Sequence, residues 1–546
     1  MTPRSSWVKL ASLLGASILL VLVTRVPLAP QHLYSFDSVN MALALQDFDP
    51  ARHQPQPPGY PLFVAEARVF QQIFRTPERT FEAIKIVICG LSVALLYLLG
   101  RSMFSVPVGV IAAILLFVNP VFWFSSLTSP LRPHLALVSI LVASFCWRTV
   151  TGERRDLYAA SLALGLGGGF RPELTVLLFP LWMMAGWKTR EPRTMIRGLL
   201  LFAAGTLAWL GVLAVFYHGL GRMIGDWARY LTEQTQASSI LMGAGDSGWR
   251  RMIGRAFIWT GSGALAWVWT LPFGWRSRRE LPEWIKRFQF LAVWFLPPFV
   301  FQLLVHIANP GHALSTIPVV CLVGGICIAA ADRYLYRYWQ RSFAGVRLGA
   351  ALQAGGLALA IAVAGNLILF FGRFPLPQAS GTGHFRGLVS LADAFRVGTY
   401  ESSNAMIRWV DERTELGLGQ IQHLQSETDR PVLVLWTRNG QPVWRKVSFY
   451  FPEQKVYELD EKGDPAVPAS MGRVWSGNKV LAEYSGEPPF RVAIPKKARL
   501  IWLVGPNSAE RLKKMLSVKN APPLIYADLP ANAPSFRWGS FEFVPQ

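Results

Sequence analysis

Charge is scarce in this chain of 546 residues: only 16% are Asp, Glu, Lys or Arg, against about 25% in ordinary soluble domains. With 52% hydrophobic residues, that shortage excludes a globule surrounded by water. Cysteine is rarer still. Cys89, Cys146, Cys321 and Cys327 all lie inside apolar runs and have no metal-ligand spacing, which argues against both a disulfide framework and a zinc site. The last third of the chain contains no GxGxxG and no P-loop, so no nucleotide cofactor is assigned to it. Acidic residues are outnumbered by basic ones, 33 to 54, for a formal net charge of +21. A nucleic-acid partner would call for a basic patch. Here Lys and Arg recur instead in short clusters between hydrophobic runs, as the cytoplasmic loops of a membrane protein do.

What is present in quantity is long apolar sequence. Runs of 18 or more such residues recur from position 10 to position 372, each sufficient to cross a hydrocarbon core of roughly 30 Å. The first, "LASLLGASILLVLVTRVPLA", has the charged front of a signal peptide but no small-x-small cleavage site, and reads as a retained helix. Passes follow near 82–100, 104–124 and 133–147, then two short halves near 157–170 and 172–187 joined at "GGGFRPE". Further passes lie near 198–218, 252–274, 288–306, 312–331 and 348–371. The fold class is therefore mainly α, a polytopic bundle of about eleven passes, with nearly every basic cluster on one side. That places the N-terminus in the cytoplasm and the C-terminus outside.

The chain divides into a transmembrane module, 1–373, and an extracytoplasmic tail, 374–546. The module has external loops at 28–81 and 219–250. In the tail, short β-rich runs such as "PVLVLW" (431–436), "KVYEL" (455–459), "RVAIP" (491–495), "RLIWLVG" (499–505) and "PLIYADL" (523–529) alternate with polar stretches. "WRKVSFYF" (444–451) suits a crossover helix, so a small α/β domain is expected.

The topology gathers the notable polar residues on the outer face. They are Asp37, Asp47, Asp49 and His53 in the first loop, Arg132 and His134 before one helix, and Arg171 and Glu173 at the half-helix junction. Asp226, His306 and His312 follow. A carboxylate there can deprotonate a hydroxyl or hold a divalent ion through oxygen. Arginine binds phosphate through a bidentate fork. Together they suit inverting sugar transfer from a lipid phosphate, in which one base activates the acceptor and the phosphate leaves. A single loop aspartate is more often simply solvated, and an arginine at a helix end more often snorkels. It is the shared sidedness of the set that favours function.

"YSFDSVNMA" (34–42), followed by "QPPGYPLF" (56–63) entering a helix, resembles the GT-C superfamily of polytopic glycosyltransferases. The resemblance is to the bacterial branches related to protein O-mannosyltransferases and lipopolysaccharide-core transferases. "GGGFRPELTVLLFPLW" (167–182) is similar to the Arg-Pro-acidic string of these enzymes, and "NPGHALSTIPVVCLVGG" (309–325) to their late Gly-aromatic and Leu-Pro segment. The resemblance implies a polyprenyl-phosphate-linked sugar as donor and a glycan, lipid or protein acceptor, in a bacterial inner membrane. It implies an essential first-loop aspartate, Asp37 with Asp49 as second candidate. His53, Tyr60, Arg132, His134, Arg171, Glu173 and His312 are the candidates for binding donor phosphate or substrate. No cofactor is certain. A divalent cation (Mg or Mn) is left open, with Asp37 its ligand if one binds. The departures are Gln56 where the closest branch has a histidine, and "SSLTSPLRPHLAL" (125–137) without the carboxylate many members carry. The second departure favours direct phosphate binding by Arg132.

PPGYP also has a reading of its own. The prolines fix an extended approach, Gly59 permits a sharp turn, Tyr60 suits an interface, and Pro61 suits the first turn of a helix. "LFVAEARVFQQIF" (62–74) is amphipathic enough to lie along the membrane surface as a lid or floor. Two other functions compete: a transporter or flippase of a lipid-linked or anionic solute, suggested by the broken half-helices, and a non-catalytic membrane assembly protein working through its tail. No inverted repeat supports the first.

Overall fold

A computed structural model describes residues 3–236, 238–342, 356–372, 400–437, 440–460, 471–484, 488–504 and 506–546. The described residues pack as two compact units. Of the described residues, one unit takes those within 3–29, 44–372 and 400–406, and the other those within 30–43 and 407–546.

The first unit is helical. Its helices begin with α1 (Pro3–Arg25), and α2 (Phe36–Gln46) enters it from the other unit. Then come α3 (Pro61–Phe74), α4 (Pro77–Met103), α5 (Val106–Val118), α6 (Pro120–Thr128), α7 (Pro133–Val150), α8 (Asp156–Gly167) and α9 (Pro172–Lys188). The series continues with α10 (Pro192–Phe216), α11 (Leu220–Thr235), α12 (Asp246–Gly261), α13 (Leu271–Ser277), α14 (Trp284–Leu304), α15 (Ile317–Ser342) and α16 (Leu357–Phe371). Proline marks most of the starts, where its missing N–H costs nothing. Among the described residues six single helices are long and apolar enough to span a bilayer, and one bent pair adds a seventh. The reading of about eleven passes also counts shorter helices such as α8, α9 and α16. The pass expected near 348–371 falls partly outside the described residues.

Two expected passes are broken. The run near 104–124 was expected as one helix, but α5 and α6 meet at a 52° bend. Pro120 cannot continue the hydrogen-bond ladder, and the Asn119 side chain accepts from Val121 N (3.0 Å) and Phe122 N (3.1 Å), starting a new helix instead. The run near 252–274 likewise resolves into α12, two short 3-10 turns and α13. At that break Asn366 of α16 donates to Gly263 O at 3.1 Å, supplying a donor to a carbonyl freed from the helix. Apolar periodicity alone showed neither break.

The core of this unit is continuous through α4, α5, α7, α9 and α15. Two buried cations there donate to backbone carbonyls. Lys85 Nζ donates to Leu127 O (2.6 Å), and Arg25 Nη2 donates to Phe117 O (2.6 Å) while its guanidinium lies 3.5 Å from the Trp123 ring centroid. Such pairing is what makes a charge tolerable away from water.

The second unit is built on a sheet. Its helices are α17 (Asn404–Ser426), α18 (Trp444–Tyr450) and α19 (Pro506–Met515). Its strands are β1 (Val432–Thr437), β2 (Lys455–Asp460), β3 (Met471–Ser476), β4 (Lys479–Tyr484), β5 (Phe490–Ile494), β6 (Arg499–Leu503), β7 (Lys519–Ala521), β8 (Leu524–Asp528), β9 (Phe536–Trp538) and β10 (Phe541–Pro545). A seven-stranded sheet has the order β4-β3-β2-β1-β6-β8-β7, and β5-β10-β9 form a small second sheet. β1 is parallel to both β2 and β6, with Val434 opposite Val456 and Ile501. A parallel pair needs a crossover, and α18 makes the one between β1 and β2, as "WRKVSFYF" led us to expect. β1 and β6 are almost wholly buried, hence their unbroken apolar runs.

Candidate functional site

The PPGYP segment turns as its composition requires. Gly59 has φ +109°, which glycine tolerates, and Tyr60 stands left-handed at the N-cap of α3. α3 follows from Pro61, with Val69 and Ile73 exposed one turn apart. The same helix is tied to the half-helix junction by Leu62 N, which donates to Gly169 O at 3.2 Å. A Cβ on Gly169 would stand 2.5 Å from the Leu62 side chain, so the junction is glycine because two elements touch there.

That junction delivers Arg171 to Tyr60. The guanidinium is 7% exposed. It donates from Nε to Glu173 Oε1 at 2.6 Å and from Nη1 to the Tyr60 hydroxyl at 3.1 Å. Its Nη2 lies 3.2 Å from His312 Nε2. Glu173 stands in the first turn of α9, where the helix dipole favours a negative charge. His312 is buried in the 3-10 turn Pro310–Ser315. Its Nδ1 accepts from Ala308 N (3.2 Å) and Asn309 N (3.3 Å).

A neutral imidazole with Nδ1 as acceptor carries its proton on Nε2. The Nε2–H of His312 and an N–H of Arg171 therefore point into the same space. Two donors facing each other at 3.2 Å are relieved by an acceptor placed between them, an oxyanion above all. Arg132 belongs to this cluster. It is 7% exposed, and its side chain lies where a Cβ on Gly311 would approach to 2.6 Å. Arg132 and Arg171 both act electrostatically on His306 and His312.

Burial first, and then Arg132, push the His306 imidazole down to about 4, with Arg171 and Arg255 adding to the shift and Glu173 opposing it. His312 is held well below the usual histidine range for the same leading reason. Both rings are thus neutral near pH 7. Below the unfolded value of about 6.5 the unfolded chain takes up protons that the folded chain refuses, so stability falls as pH drops from about 6.5 toward 4. The melting temperature of the protein in lipid should fall across that window, and His306→Asn should flatten the slope.

The other sequence candidates lie as follows. His134 opens α7 and is 1% exposed, its ring stacked on Phe170 with centroids 4.7 Å apart. Its Nδ1 faces Leu131 O (3.1 Å) and its Nε2 faces Glu66 Oε2 (2.8 Å). Sequence reasoning missed Glu66 as a site residue. It stood among polar residues of an amphipathic helix, and only tertiary folding aims it at His134. It supplies a carboxylate near the start of α7, where the linear stretch 125–137 has none. Replacing Glu66 with leucine strips a charged partner from a buried imidazole and should cost about 1–3 kcal/mol, read as a lower unfolding midpoint.

Asp49 caps the turn Pro50–Arg52, accepting from Arg52 N (3.2 Å) and Arg52 Nε (2.6 Å). His53 is exposed, with its ring centroid 6.0 Å from that of Tyr230. A cavity of about 650 Å³ is lined by Asp49, Tyr217, Arg222, Asp226 and Arg229, among others. α11 beside it exposes Leu220, Ile224 and Leu231. Asp37 is a residue of the second unit, half-buried in the first turn of α2. Among the described residues no three His, Cys, Asp or Glu side chains converge as a metal-binding group.

Comparison with known proteins bears out the resemblance read from the sequence, as a likeness over part of the chain and in fold. Residues 55–218 match the profile of the dolichyl-phosphate-mannose-protein mannosyltransferase family. That stretch contains Tyr60, Glu66, Arg132, His134, Arg171 and Glu173. The chain is similar in fold to ArnT from Cupriavidus metallidurans bound to undecaprenyl phosphate, with a TM-score of 0.55 and 14% identity, covering 96% of this chain and 98% of that one. The apo form of the same protein gives a TM-score of 0.54 at 14% identity, covering 97% and 99%. No curated protein matches in sequence.

Proposed function

We propose that the protein transfers a sugar from a polyprenyl-phosphate-linked donor to a hydroxyl group of a glycolipid, polysaccharide or protein on the outer face of a bacterial inner membrane. The N-terminus is then cytoplasmic and the C-terminal unit extracytoplasmic. The observation that carries this reading is the pair of opposed donors, Arg171 Nη2 and His312 Nε2. They are backed by Arg132 and anchored by Tyr60 and Glu173 in a nearly water-free setting. A phosphate oxygen relieves that opposition, and the solved relative binds undecaprenyl phosphate.

In this reading Asp37 takes the proton of the acceptor hydroxyl as its oxygen bonds to the anomeric carbon. The bond from that carbon to the phosphate oxygen breaks, and the electron pair leaves on the phosphate. Arg171 and His312 stabilise the growing charge, and inversion at the anomeric carbon follows from the single displacement. Asp37 is preferred to Asp49 because it is the first-loop aspartate that the resemblance in "YSFDSVNMA" points to, with Asp49 the second candidate. The exposed apolar residues of α11 suit the isoprenoid tail. No step is routed through a divalent cation, and transfer is expected to survive EDTA. The first test is binding of undecaprenyl phosphate to the protein in lipid. Arg171→Met should weaken it by a factor of ten or more. Equal affinity in wild type and variant would remove Arg171 from the phosphate site.

A further inference from the structure

The end of the helical unit far from the half-helix junction carries a basic hollow that the mechanism above does not use. α15 begins at Ile317, directly after the turn that holds His312, and it is one of the helices long and apolar enough to span a bilayer. The stretch from Ile317 to Arg337 is about 30 Å of helix, the thickness of a hydrocarbon core. Arg333 and Arg337 therefore stand at the opposite membrane interface from Arg171 and His312. There a cavity of about 310 Å³ opens between α13 and α15, lined by Arg276, Glu280, Arg333, Tyr334, Arg337 and Tyr338, among others.

The walls of the hollow are fixed by packing. A Cβ on Gly274 would stand 2.4 Å from the Cys327 sulfur, so α13 and α15 touch there at a distance only glycine allows. Beside that contact the Phe273 and Tyr334 rings pack with centroids 5.1 Å apart. Arg333 and Arg337 are one turn apart on α15 and both exposed, as is Arg276 on α13. Among the described residues none of the three forms an ion pair, and Glu280 is the one carboxylate lining the cavity with them. An arginine at a helix end usually snorkels alone. Three on one hollow leave an excess of positive charge, and guanidinium forks match phosphate oxygens. The surroundings suit a lipid phosphate. α13 exposes Leu271 and Trp275, and α15 exposes Tyr334 and Tyr338, the apolar and amphipathic side chains of a membrane interface.

We propose that Arg276, Arg333 and Arg337 form a binding site for the phosphodiester headgroup of an anionic glycerophospholipid, in the leaflet opposite the Arg171 and His312 cluster. The headgroup bridges α13 and α15 where the two helices part, and its acyl chains lie against the exposed apolar side of α13. The site is independent of sugar transfer and requires only that the chain span a membrane.

The test titrates the purified full-length chain in detergent with phosphatidylglycerol or phosphatidylcholine and reads the first lipid bound by native mass spectrometry. Wild type should take phosphatidylglycerol at least tenfold more tightly than phosphatidylcholine. Arg333→Gln combined with Arg337→Gln should remove that preference, the scale expected for two interfacial cations lost. Phosphatidylcholine binding should be unchanged, which shows that the variant is folded. A matched pair supplies the control. Arg193 and Arg197 are exposed one turn apart at the start of α10, whose other end meets Gly59 at Leu213, so they stand at the same interface as the proposed site. Arg193→Gln combined with Arg197→Gln should leave the preference within twofold of wild type. Equal losses in the two double variants would mean a general surface charge and overturn the site, as would a preference that survives Arg333→Gln with Arg337→Gln. Displacement of phosphatidylglycerol by millimolar inorganic phosphate would overturn it too, assigning the arginines to a soluble anion.

Discussion

Arg171→Met should lower transfer by about 10²–10³-fold, the usual cost of removing one preorganised donor from a developing oxyanion. The effect should be larger than that of any other single change around the junction, because Arg171 is the common partner of Tyr60, Glu173 and His312. Its removal takes away the charge that meets the phosphate. It also leaves Glu173 without the arginine whose guanidinium now neutralises it. Breaking a buried pair from one side costs several kcal/mol, so a fall in stability should accompany the fall in rate. Arg171→Lys separates the two effects. A lysine keeps the charge for Glu173 but cannot present a planar fork to Tyr60, His312 and a phosphate together. It should restore the melting temperature and leave transfer well below wild type. The measurement is initial rate at saturating donor beside thermal unfolding of the same preparations.

Asp37→Asn should abolish most of the turnover while leaving donor affinity in place. A positioned general base contributes about 10²–10⁴-fold, and asparagine fills the same space without accepting the proton. The loss should therefore fall on kcat, with KM for the donor nearly unchanged. Asp49→Asn is the contrasting case. It weakens the bond to Arg52 at 2.6 Å and loosens the turn before His53. Transfer that fell as far in Asp49→Asn as in Asp37→Asn would move the base to the second aspartate.

Much of this was legible in the sequence because membrane proteins advertise their organisation. The apolar runs marked the helices, and the basic clusters marked the loops. "GGGFRPE" announced the junction between α8 and α9, and PPGYP the entry to α3. Proline, glycine and charge act locally, so their consequences can be read locally. The bend at Asn119–Pro120 was legible in principle from an asparagine before a proline, a cap signal hidden inside a hydrophobic stretch. Glu66 was not legible as a partner of His134, 68 residues away, because its neighbours suggested only a polar helix face. The same holds for Arg445. In "WRKVSFYF" it read as part of a crossover helix, and only the folded chain shows its guanidinium buried against Asn40. β3, β4, β7, β9 and β10 escaped notice: β7 and β9 are only three residues each, and β4 is largely exposed, so period-two alternation had little burial to record.

The most direct test of the central claim is sugar transfer itself. Purified protein in lipid is offered radiolabelled polyprenyl-phosphate sugars and a cell-envelope extract, with Arg171→Met and Asp37→Asn in parallel, each with and without EDTA. The account predicts label passing from lipid to acceptor in the wild type, persisting in EDTA, and falling at least a hundredfold in both variants. Donor that binds to the wild type and is never consumed, or transfer that survives in both variants, would contradict it.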